Sequence, residues 1–357
     1  MNPEGQVGRG ASPRPRQRDI AELAGVDRST VSVVLAGKAV ERHIPPATRD
    51  RVLEVARKLG YRSDPIARRL KGMSGRIIGI HTYGRDMTFA EGNYNYEYLL
   101  AAQRAATQRG YDVLLFTSTT HEEETSSAFQ GGSNRLAVAD GSLIIGFRDD
   151  HAELARLWSE GYPFVRIDRR DVPGADIPWV DSDHVTGTIA MVHELRKAGY
   201  HRLLYVGSPR PLEPFADRQE GFRQAMGRYG LPASSMHLLE DDDITADWLR
   251  SVSRRGAPTI IAERHNHAEF VTDAARALHV RTPIAVLQSP FPPVDRDLHC
   301  AYFVEPRVEI AREAIDMLVS TIEDEPLRRS HLSLPGTVRV QPAAKFAARR
   351  RSWSADA

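Results

Sequence analysis

The chain of 357 residues contains a single cysteine, Cys300, and no long apolar run. One cysteine excludes an internal disulfide framework and disfavours a thiol-rich metal site, so Cys300 is expected to be a small buried hydrophobic residue. No apolar stretch approaches the roughly 18–20 residues that span a bilayer. Residues 1–17 are rich in Gly, Pro and Arg and lack an apolar segment, which favours a disordered basic arm over a secretory signal. We therefore expect a soluble, cytoplasmic protein.

Sequence motifs of the common enzyme classes are also missing. There is no G-x-S-x-G, H-E-x-x-H, phosphate-binding loop or kinase motif set, so neither a nucleophile nor a general base can be named. His265 and His267 lie two residues apart without a third ligand nearby, a pattern more typical of structural or surface histidines than of a metal site. The acidic run at residues 240–243 is best interpreted as a solvated loop before a helix. We predict no catalytic residue, metal or cofactor.

The net charge of +1 conceals an uneven distribution along the chain. Residues 1–76 contain 16 Lys/Arg and 8 Asp/Glu, a net charge of +8, whereas the remainder contains 32 and 39, a net charge of −7. A basic head on a mildly acidic body predicts a polyanionic partner for the head alone.

The most informative segment is residues 18–37, RDIAELAGVDRSTVSVVLAG. Two apolar stripes recur there at helical spacing, first Ile20, Leu23 and Ala24, then Val31, Val34 and Leu35. Gly25 falls where the first helix must stop and reverse, and Asp27 falls where an N-cap would open the second helix. The outer face of the second helix then carries Arg28, Ser29, Thr30, Ser32 and Val33. Such a pair of helices suits insertion into a DNA major groove, although an ordinary helical hairpin is the alternative.

The segments that follow extend this pattern. A third helix begins at Pro46, with apolar residues at helical spacing up to Gly60, and the segment YRSDPIARRLKG (61–72) precedes the apolar strand RIIGI (76–80). Here the sequence resembles the LacI family of transcriptional regulators, whose members begin with D-hydrophobic-A-x-x-A-G-V-x-x-x-T-V-S-x-V-L. The matching residues of that motif are Asp19, Ala21, Ala24, Gly25, Val26, Thr30, Val31, Ser32, Val34 and Leu35. Further matches are Thr48, Arg49 and Val52 in the third helix, Leu59, Gly60 and Tyr61 after it, and Ala67, Arg68 and Leu70 in a hinge helix.

From residue 76 onward, apolar strands alternate with amphipathic helices, which predicts parallel sheets covered on both faces. The resemblance implies an α/β fold: an all-α helix-turn-helix domain with a hinge helix, then two Rossmann-like lobes of periplasmic-binding-protein type. The expected boundaries are a basic arm at 1–17, a DNA-binding domain at 18–62, a hinge at 63–75, an effector-binding and dimerisation domain at 76–342, and a basic tail at 343–357. Lobe 1 is predicted at 76–182 plus 303–325, and lobe 2 at 183–302 plus 326–342.

A small ligand is expected in the cleft between the lobes, at the carboxyl ends of the strands. The segment DRQEGF (217–222) resembles the family's R-x-x-G-F element, whose arginine hydrogen-bonds the effector in many members, so Arg218 is the first candidate ligand residue. A surface salt bridge is the alternative for this side chain. Asp168, at the end of a strand, is the second candidate, although an aspartate there often caps a loop.

Departures from the family pattern concern the effector. Arg264 and His265 stand where the family usually places an Asn-Asp pair, a shorter segment with Gln288 replaces a G-F/Y-D-D element, and Tyr94 and Asn95 are expected to face the cleft. The loss of acidic positions weakens the expectation of a plain sugar. The gained arginine indicates an anionic effector, such as a sugar phosphate or an acid, and a regulator without an effector stays an open alternative.

The resemblance also assigns roles at the DNA. Arg28, Ser29 and Val33 occupy the base-reading positions, and Thr30 and Ser32 have short hydroxyls suited to phosphate contacts. Ala36 replaces a frequent Asn, and about three extra residues near Val40–Arg42 lengthen the next loop.

The predicted hinge helix is too short to be stable alone in water, so it should fold only when two copies meet on DNA. Arg68 and Arg69 would add phosphate attraction, while Leu70, beside Lys71, would wedge into a central minor-groove step. The prediction is therefore a homodimeric repressor on a near-palindromic operator, controlled by a small-molecule effector. An extracytoplasmic binding protein and an enzyme are the alternatives, and a floppy basic linker is the alternative for the hinge.

Overall fold

The computed structural model describes residues 15–35, 37, 39–59, 61, 75–83, 94–117, 126–146, 150–210, 212–288 and 298–348. The chain divides into two compact units, Met1–Gly75 and Arg76–Ala357. Most of the predicted arm and tail lie outside the described residues, as do Ala36 and the four predicted hinge residues Arg68, Arg69, Leu70 and Lys71.

The first unit contains three described helices, α1 (Gln17–Ala24), α2 (Arg28–Leu35) and α3 (Pro46–Lys58). The turn between α1 and α2 depends on Gly25, because its φ of 63° lies in the left-handed region, where a side chain is strained. Pro46 occupies the start of α3, where its missing N–H costs no helical hydrogen bond. These local signals explain why the predicted helix-turn-helix forms.

The core of the first unit is small and aliphatic. It is formed mainly by Ile20, Ala24, Val31, Val34, Val52 and Ala56. Leu23, which the helical spacing placed in the inner stripe, is instead 64% exposed, so that assignment is wrong. Ile20 and Ala24 lie four residues apart and occupy the centre of the narrow contact stripe, which leaves Leu23 on its flank.

In the second unit, strands and helices alternate. The described strands are β1 (Ile77–His81), β2 (Asp112–Phe116), β3 (Phe129–Gln130), β4 (Ser133–Asn134), β5 (Gly141–Ile144), β6 (Phe164–Ile167), β7 (Trp179–Ser182), β8 (Leu203–Gly207), β9 (Met236–Leu238), β10 (Thr259–Ala262), β11 (Ile284–Val286), β12 (His299–Val304), β13 (His331–Leu334) and β14 (Thr337–Val340). The described helices are α4 (Tyr94–Gln108), α5 (His151–Ser159), α6 (His184–Lys197), α7 (Glu213–Tyr229), α8 (Ala246–Val252), α9 (His265–Ala277), α10 (Arg307–Ile322) and α11 (Ala343–Ala348). None of these helices combines the length and apolarity needed to cross a membrane.

Two six-stranded sheets organise this unit. The first has the order β13-β7-β6-β5-β1-β2 and is parallel throughout. The second has the order β14-β12-β11-β10-β8-β9, with β14 antiparallel to β12 and the other pairs parallel. Strands β5, β6, β8 and β10 are buried at every residue, as expected for sheets with both faces covered. The predicted fold class is therefore confirmed.

The chain passes between the two sheets three times, after β7, after β12 and between β13 and β14. The sequence predicted crossings near residues 182 and 302 but assigned the whole of 326–342 to lobe 2. That boundary is wrong, because His331–Leu334 pairs with Trp179–Ser182 and forms an edge of the first sheet. A four-residue strand with a buried Leu332 fits the edge of either sheet, so only the pairing decides its place.

Candidate functional site

The outer face of α2 carries the side chains that the sequence assigned to DNA. Val31 and Val34 are buried in the core of the unit. On the opposite side, Arg28 and Ser29 are exposed, while Thr30, Ser32 and Val33 are partly exposed. The short helix thus has one apolar face in the core and one mostly polar face, on which Val33 is also partly exposed.

The loop after α2 contains a turn of backbone. The Ile44 N–H donates to the Ala39 carbonyl at 2.9 Å, and His43, at a φ of 52°, closes the turn in the left-handed region. This geometry leaves Val40 79% exposed. Residues 40–42, which the resemblance suggested to be an insertion, are therefore exposed and lie outside the core.

Asp168 lies directly after β6, at the carboxyl end of the first sheet. Its φ is 70° and only 2% of its surface is exposed. Burial, together with the negative charge of Asp181, raises the pKa of Asp168 to about 7. Among the described residues, its Oδ2 has no hydrogen-bond partner. A buried, unsatisfied carboxyl oxygen in a strained backbone position is costly, which marks Asp168 as a functional candidate.

A hydrogen-bonded chain connects this corner of the first sheet with α7. The Arg218 Nε donates to His184 Nδ1 at 3.4 Å, and His184 Nε2 lies 3.2 Å from Asp181 Oδ1. The neighbouring His184 holds the pKa of Asp181 below its usual value despite burial. Asp181 also accepts backbone N–H groups from Ser182 at 2.6 Å and Arg169 at 3.2 Å.

Asp168, Asp181 and His184 place one ligand atom each within 4.8 Å of one another, which raises the question of a metal ion. His184 argues against it, because both of its ring nitrogens are already in use. A metal on Nε2 would move the ring proton to Nδ1, where the Arg218 N–H donor already points. This set therefore suits a hydrogen-bonded relay better than a metal site.

Arg218, the first predicted ligand residue, is deeply buried and fully engaged. Its NH2 lies 3.0 Å from Glu305 Oε1, and its NH1 donates to the Glu263 carbonyl at 2.9 Å. Glu305 in turn binds Arg307, whose NH2 lies 3.1 Å from Oε2. Arg307 NH1 then reaches Glu97 on α4 at 3.0 Å. The alternative prediction, a surface salt bridge for Arg218, is wrong, because its ion pair with Glu305 is buried.

A second set of ion pairs joins the loop after β6 to the start of α7. Arg169 NH2 lies 2.8 Å from Asp217 Oδ1, and Arg170 NH1 lies 3.6 Å from Glu213 Oε2. The Asp171 N–H donates to Glu213 Oε1 at 2.9 Å. Because β6 belongs to the first sheet and α7 packs on the second lobe, these contacts join the two lobes.

Arg264 and His265 follow β10, as predicted, and each has partners within the chain, although Arg264 Nε and His265 Nδ1 are buried without one. Arg264 NH2 lies 2.6 Å from Asp241 Oδ1 and donates to His267 Nε2 at 2.7 Å. Burial and the Arg264 charge lower the pKa of His267 to about 4, so this ring is the neutral acceptor. The His265 N–H donates to Gln288 Oε1 at 3.2 Å, which brings these two predicted residues together.

The structure also reveals residues that the sequence did not single out. Glu263 is completely buried and accepts hydrogen bonds from the Tyr205 hydroxyl at 2.8 Å, Gln219 at 2.9 Å and the Ser208 N–H at 3.0 Å. A Cβ at Gly207 would lie 2.5 Å from its carboxylate. Glu263 and Glu305 directly follow strand ends, a positional signal that could have identified them, and Arg307 begins the helix after the second of these strands.

Tyr94 and Asn95 open α4, in the part of the first lobe that follows a gap in the described residues. The side chain of Tyr94 is not described, and Asn95 is half-buried. No contact described here links either residue to Arg218 or Asp168, so their cleft role stays a prediction.

Comparison with known proteins identifies two matching family models. The model described as bacterial regulatory proteins, lacI family, matches residues 18–64. The model described as periplasmic binding proteins and sugar binding domain of LacI family matches residues 91–283, more than half of the chain.

Individual relatives agree with these matches. The chain is 30% identical over 219 residues to the sucrose operon repressor of Klebsiella pneumoniae, an alignment covering 60% of this chain and 61% of that protein. It is 28% identical over 237 residues to the HTH-type transcriptional regulator CelR of Thermobifida fusca, covering 66% and 67%. The chain thus spans about three fifths of the length of the first of these relatives.

Solved structures share the fold at low sequence identity. The lac repressor dimer bound to operator and the anti-inducer ONPF superposes with a TM-score of 0.66 at 16% identity, covering 92% of this chain and 98% of that one. A complex of the regulator CelR with cellobiose gives a TM-score of 0.59 at 20% identity, covering 92% and 99%.

Proposed function

Because this chain belongs to the LacI family of bacterial regulatory proteins, we propose that it is a transcriptional repressor that binds a near-palindromic DNA operator as a homodimer. The observation that carries the proposal is the two-faced helix α2, with Val31 and Val34 in the core and Arg28 and Ser29 exposed. This helix lies within the segment matched by the family model. The protein would act in the cytoplasm, at the nucleoid, without catalysing a reaction.

Each exposed residue of α2 receives a role from its chemistry. Arg28 can fork onto the O6 and N7 atoms of a guanine, and Ser29 reads the adjacent base edge. Val33 suits apolar contact with a thymine methyl group. Thr30 and Ser32 hydrogen-bond phosphates, which fixes the register of the helix without reading sequence.

The hinge supplies the second half of specificity. A helix of about one and a half turns is marginal in water, so two copies stabilise each other only at the operator centre. Leu70 then wedges into a minor-groove step beside Lys71, and Arg68 and Arg69 add phosphate contacts. This coupling requires a dimer, and a dimer with two-fold symmetry requires a near-palindromic site.

The interlobe cleft is the proposed sensor. Arg218, Asp168, Arg264, His265, Gln288, Tyr94 and Asn95 form the candidate set for a sugar, a sugar phosphate or another polar metabolite. Relatives named for the sucrose operon and a CelR–cellobiose complex favour a carbohydrate as the first ligand to test. Ligand binding would change the angle between the lobes, shift the relative positions of the two hinges and so alter affinity for DNA.

The proposal is tested by mapping bound sites across the genome and measuring affinity for the recovered palindrome by gel shift. We expect Arg28→Ala to weaken operator binding about 5- to 150-fold, the equivalent of about 1–3 kcal/mol, and to relax preference at one base pair. Leu70→Ala should reduce operator affinity while leaving non-specific DNA binding nearly intact. The exposed Lys58, paired within α3 to Glu54, provides the matched control Lys58→Ala. Absence of any sequence-selective binding by the wild-type chain would refute the proposed function.

A further inference from the structure

The environment of Arg218 constrains what the proposed cleft can bind. All three of its nitrogens have partners: Glu305 at 3.0 Å, the Glu263 carbonyl at 2.9 Å and His184 at 3.4 Å. The side chains of Arg218 and Glu305 are each only 1% exposed. A carboxylate of the chain itself therefore lies where the carboxylate or phosphate of a ligand would pair with this guanidinium.

Glu305 is firmly held in this position. Its Oε2 accepts from both Nε and NH2 of Arg307, at 3.2 and 3.1 Å, in addition to the Arg218 contact at Oε1. Hydrogen bonds between charged groups are stronger than neutral ones, and removing a buried carboxylate from two guanidinium groups is costly. An incoming anion would have to displace Glu305 or lie next to its negative charge in a site of low dielectric constant.

A second arginine of the candidate set is also paired with a carboxylate of the chain. Arg264, the arginine that suggested an anionic effector, is paired with Asp241 at 2.6 Å. Among the described residues of the candidate set, two side-chain atoms that are buried without a hydrogen-bond partner are Asp168 Oδ2 and Arg264 Nε. Both arginines of the candidate set, Arg218 and Arg264, are thus paired with carboxylates of the chain itself.

We propose that Glu305 is a specificity-determining residue of the cleft: it occupies Arg218 as an internal anion and restricts the effector to molecules without an acidic group. This inference rests on the proposed effector role of the cleft, and it narrows that role. The ligand it predicts is neutral or basic and presents a hydroxyl or amine group to Asp168. Exclusion works through a repulsive element, the carboxylate of Glu305, in the way that many binding sites reject a competitor.

The test is to remove the internal anion and ask whether external anions replace it. In full-length Glu305→Ala, two buried guanidinium groups, Arg218 and Arg307, face a vacated carboxylate position. We expect acetate and formate to raise the melting temperature of this variant saturably, by about 2–4 °C, while acetamide of the same shape has no effect. Titrations are run at constant ionic strength, with tryptophan fluorescence as the signal. All four tryptophans, Trp158, Trp179, Trp248 and Trp353, lie in the second unit.

Two comparisons isolate Glu305. Wild-type protein should show no saturable shift with acetate, formate or inorganic phosphate. Glu213→Ala removes another interlobe carboxylate, one that pairs with Arg170 rather than Arg218, and should gain no anion response. If Glu305→Ala does not fold, Glu305→Gln keeps the volume of the side chain and removes its charge. Replacing chloride with phosphate should then raise the melting temperature of Glu305→Gln more than that of the wild type.

Several outcomes would overturn the inference. A saturable response of wild-type protein to acetate or phosphate would show that Glu305 does not exclude anions. If Glu305→Ala folds but anions do not stabilise it specifically, Arg218 is not available to external anions. The same conclusion follows if Glu305→Ala does not fold and Glu305→Gln responds to anions as the wild type does. These titrations contain no DNA, so they are independent of whether the wild-type chain binds an operator, which the gel shift decides.

Discussion

The two units of this protein place their polar chemistry in opposite environments. In the first, Arg28 and Ser29 lie on the outside of a small aliphatic core. In the second, Arg218, Glu305 and Arg307 are buried and paired with one another. The difference follows from the proposed targets: a DNA groove is read from outside, whereas a small molecule must be enclosed. Surface residues can therefore change at little cost in stability, but cleft residues cannot.

The largest effect should come from breaking the cleft network. Arg218→Ala removes one guanidinium partner of the buried Glu305, and removing one member of a buried ion pair costs about 3–5 kcal/mol of the free energy of unfolding. Denaturant unfolding followed by tryptophan fluorescence measures this in the second unit. The double variant Arg218→Ala/Glu305→Ala should lose less than the sum of the single variants. Simple additivity would contradict the pairing.

Asp168 should limit stability at alkaline pH. Its pKa in the folded state, about 7, lies above that of an unfolded aspartate, so the folded protein retains a proton that the unfolded chain has released. Stability is therefore lost as the pH rises from about 4 to 7. Asp168→Asn should raise the free energy of unfolding at pH 8 by a few kcal/mol, on the order of 3. The gain should fade towards pH 4, and an equal gain at pH 4 and pH 8 would rule out this explanation.

His81 should act in the opposite direction. Burial, with nearby Arg135 and Arg166, lowers its pKa to about 3, so the unfolded chain takes up a proton below pH 6.5 while the folded protein stays neutral. Stability should fall by about 2 kcal/mol between pH 7 and pH 5 on this account. His81→Leu should remove this slope from denaturation curves. The exposed His201→Gln is the control and should retain it.

The smallest effect on stability should come from the first unit. Arg28→Ala changes an exposed side chain with no described role in the core, so the free energy of unfolding should shift by less than about 0.5 kcal/mol. Circular dichroism of the helices measures it. The same substitution should impair operator discrimination. This result would show that Arg28 contributes to DNA recognition and not to the stability of the fold. A large loss of stability would mean that the two units do not differ as described.

Much of the fold could be predicted from local patterns. Gly25 marked the reversal between α1 and α2 because its backbone conformation is one that side chains disfavour. Continuous apolar strands such as β8 and β10 marked parallel sheets. The placement of β13 could not be predicted, since a four-residue edge strand carries no signal for which sheet it joins. The prediction that Leu23 is buried was wrong for a related reason, because helical spacing alone does not show how wide the buried face of a helix is.

The candidate cleft was only partly predictable. Arg218 and Asp168 were named, but the partners of Arg218, His184 and Glu305, lie 34 and 87 positions away from it in the sequence. In the sequence, Arg264 suggested an anionic ligand, but the structure shows that this arginine pairs with Asp241. The meaning of a buried charge depends on its neighbours, and those neighbours are not adjacent in sequence.

By itself, the sequence determined the family, the fold class and the outward face of α2, because each depends on residues close together in the chain. The tertiary structure decided which sheet takes β13 and which charges meet in the cleft. The fold brings Arg218 to Glu305, 87 positions away in the sequence, at the edge of the second sheet where β12 ends. At that edge, burial makes pairing obligatory, and the pairing turns Arg218 from an open anion site into one already filled by the chain.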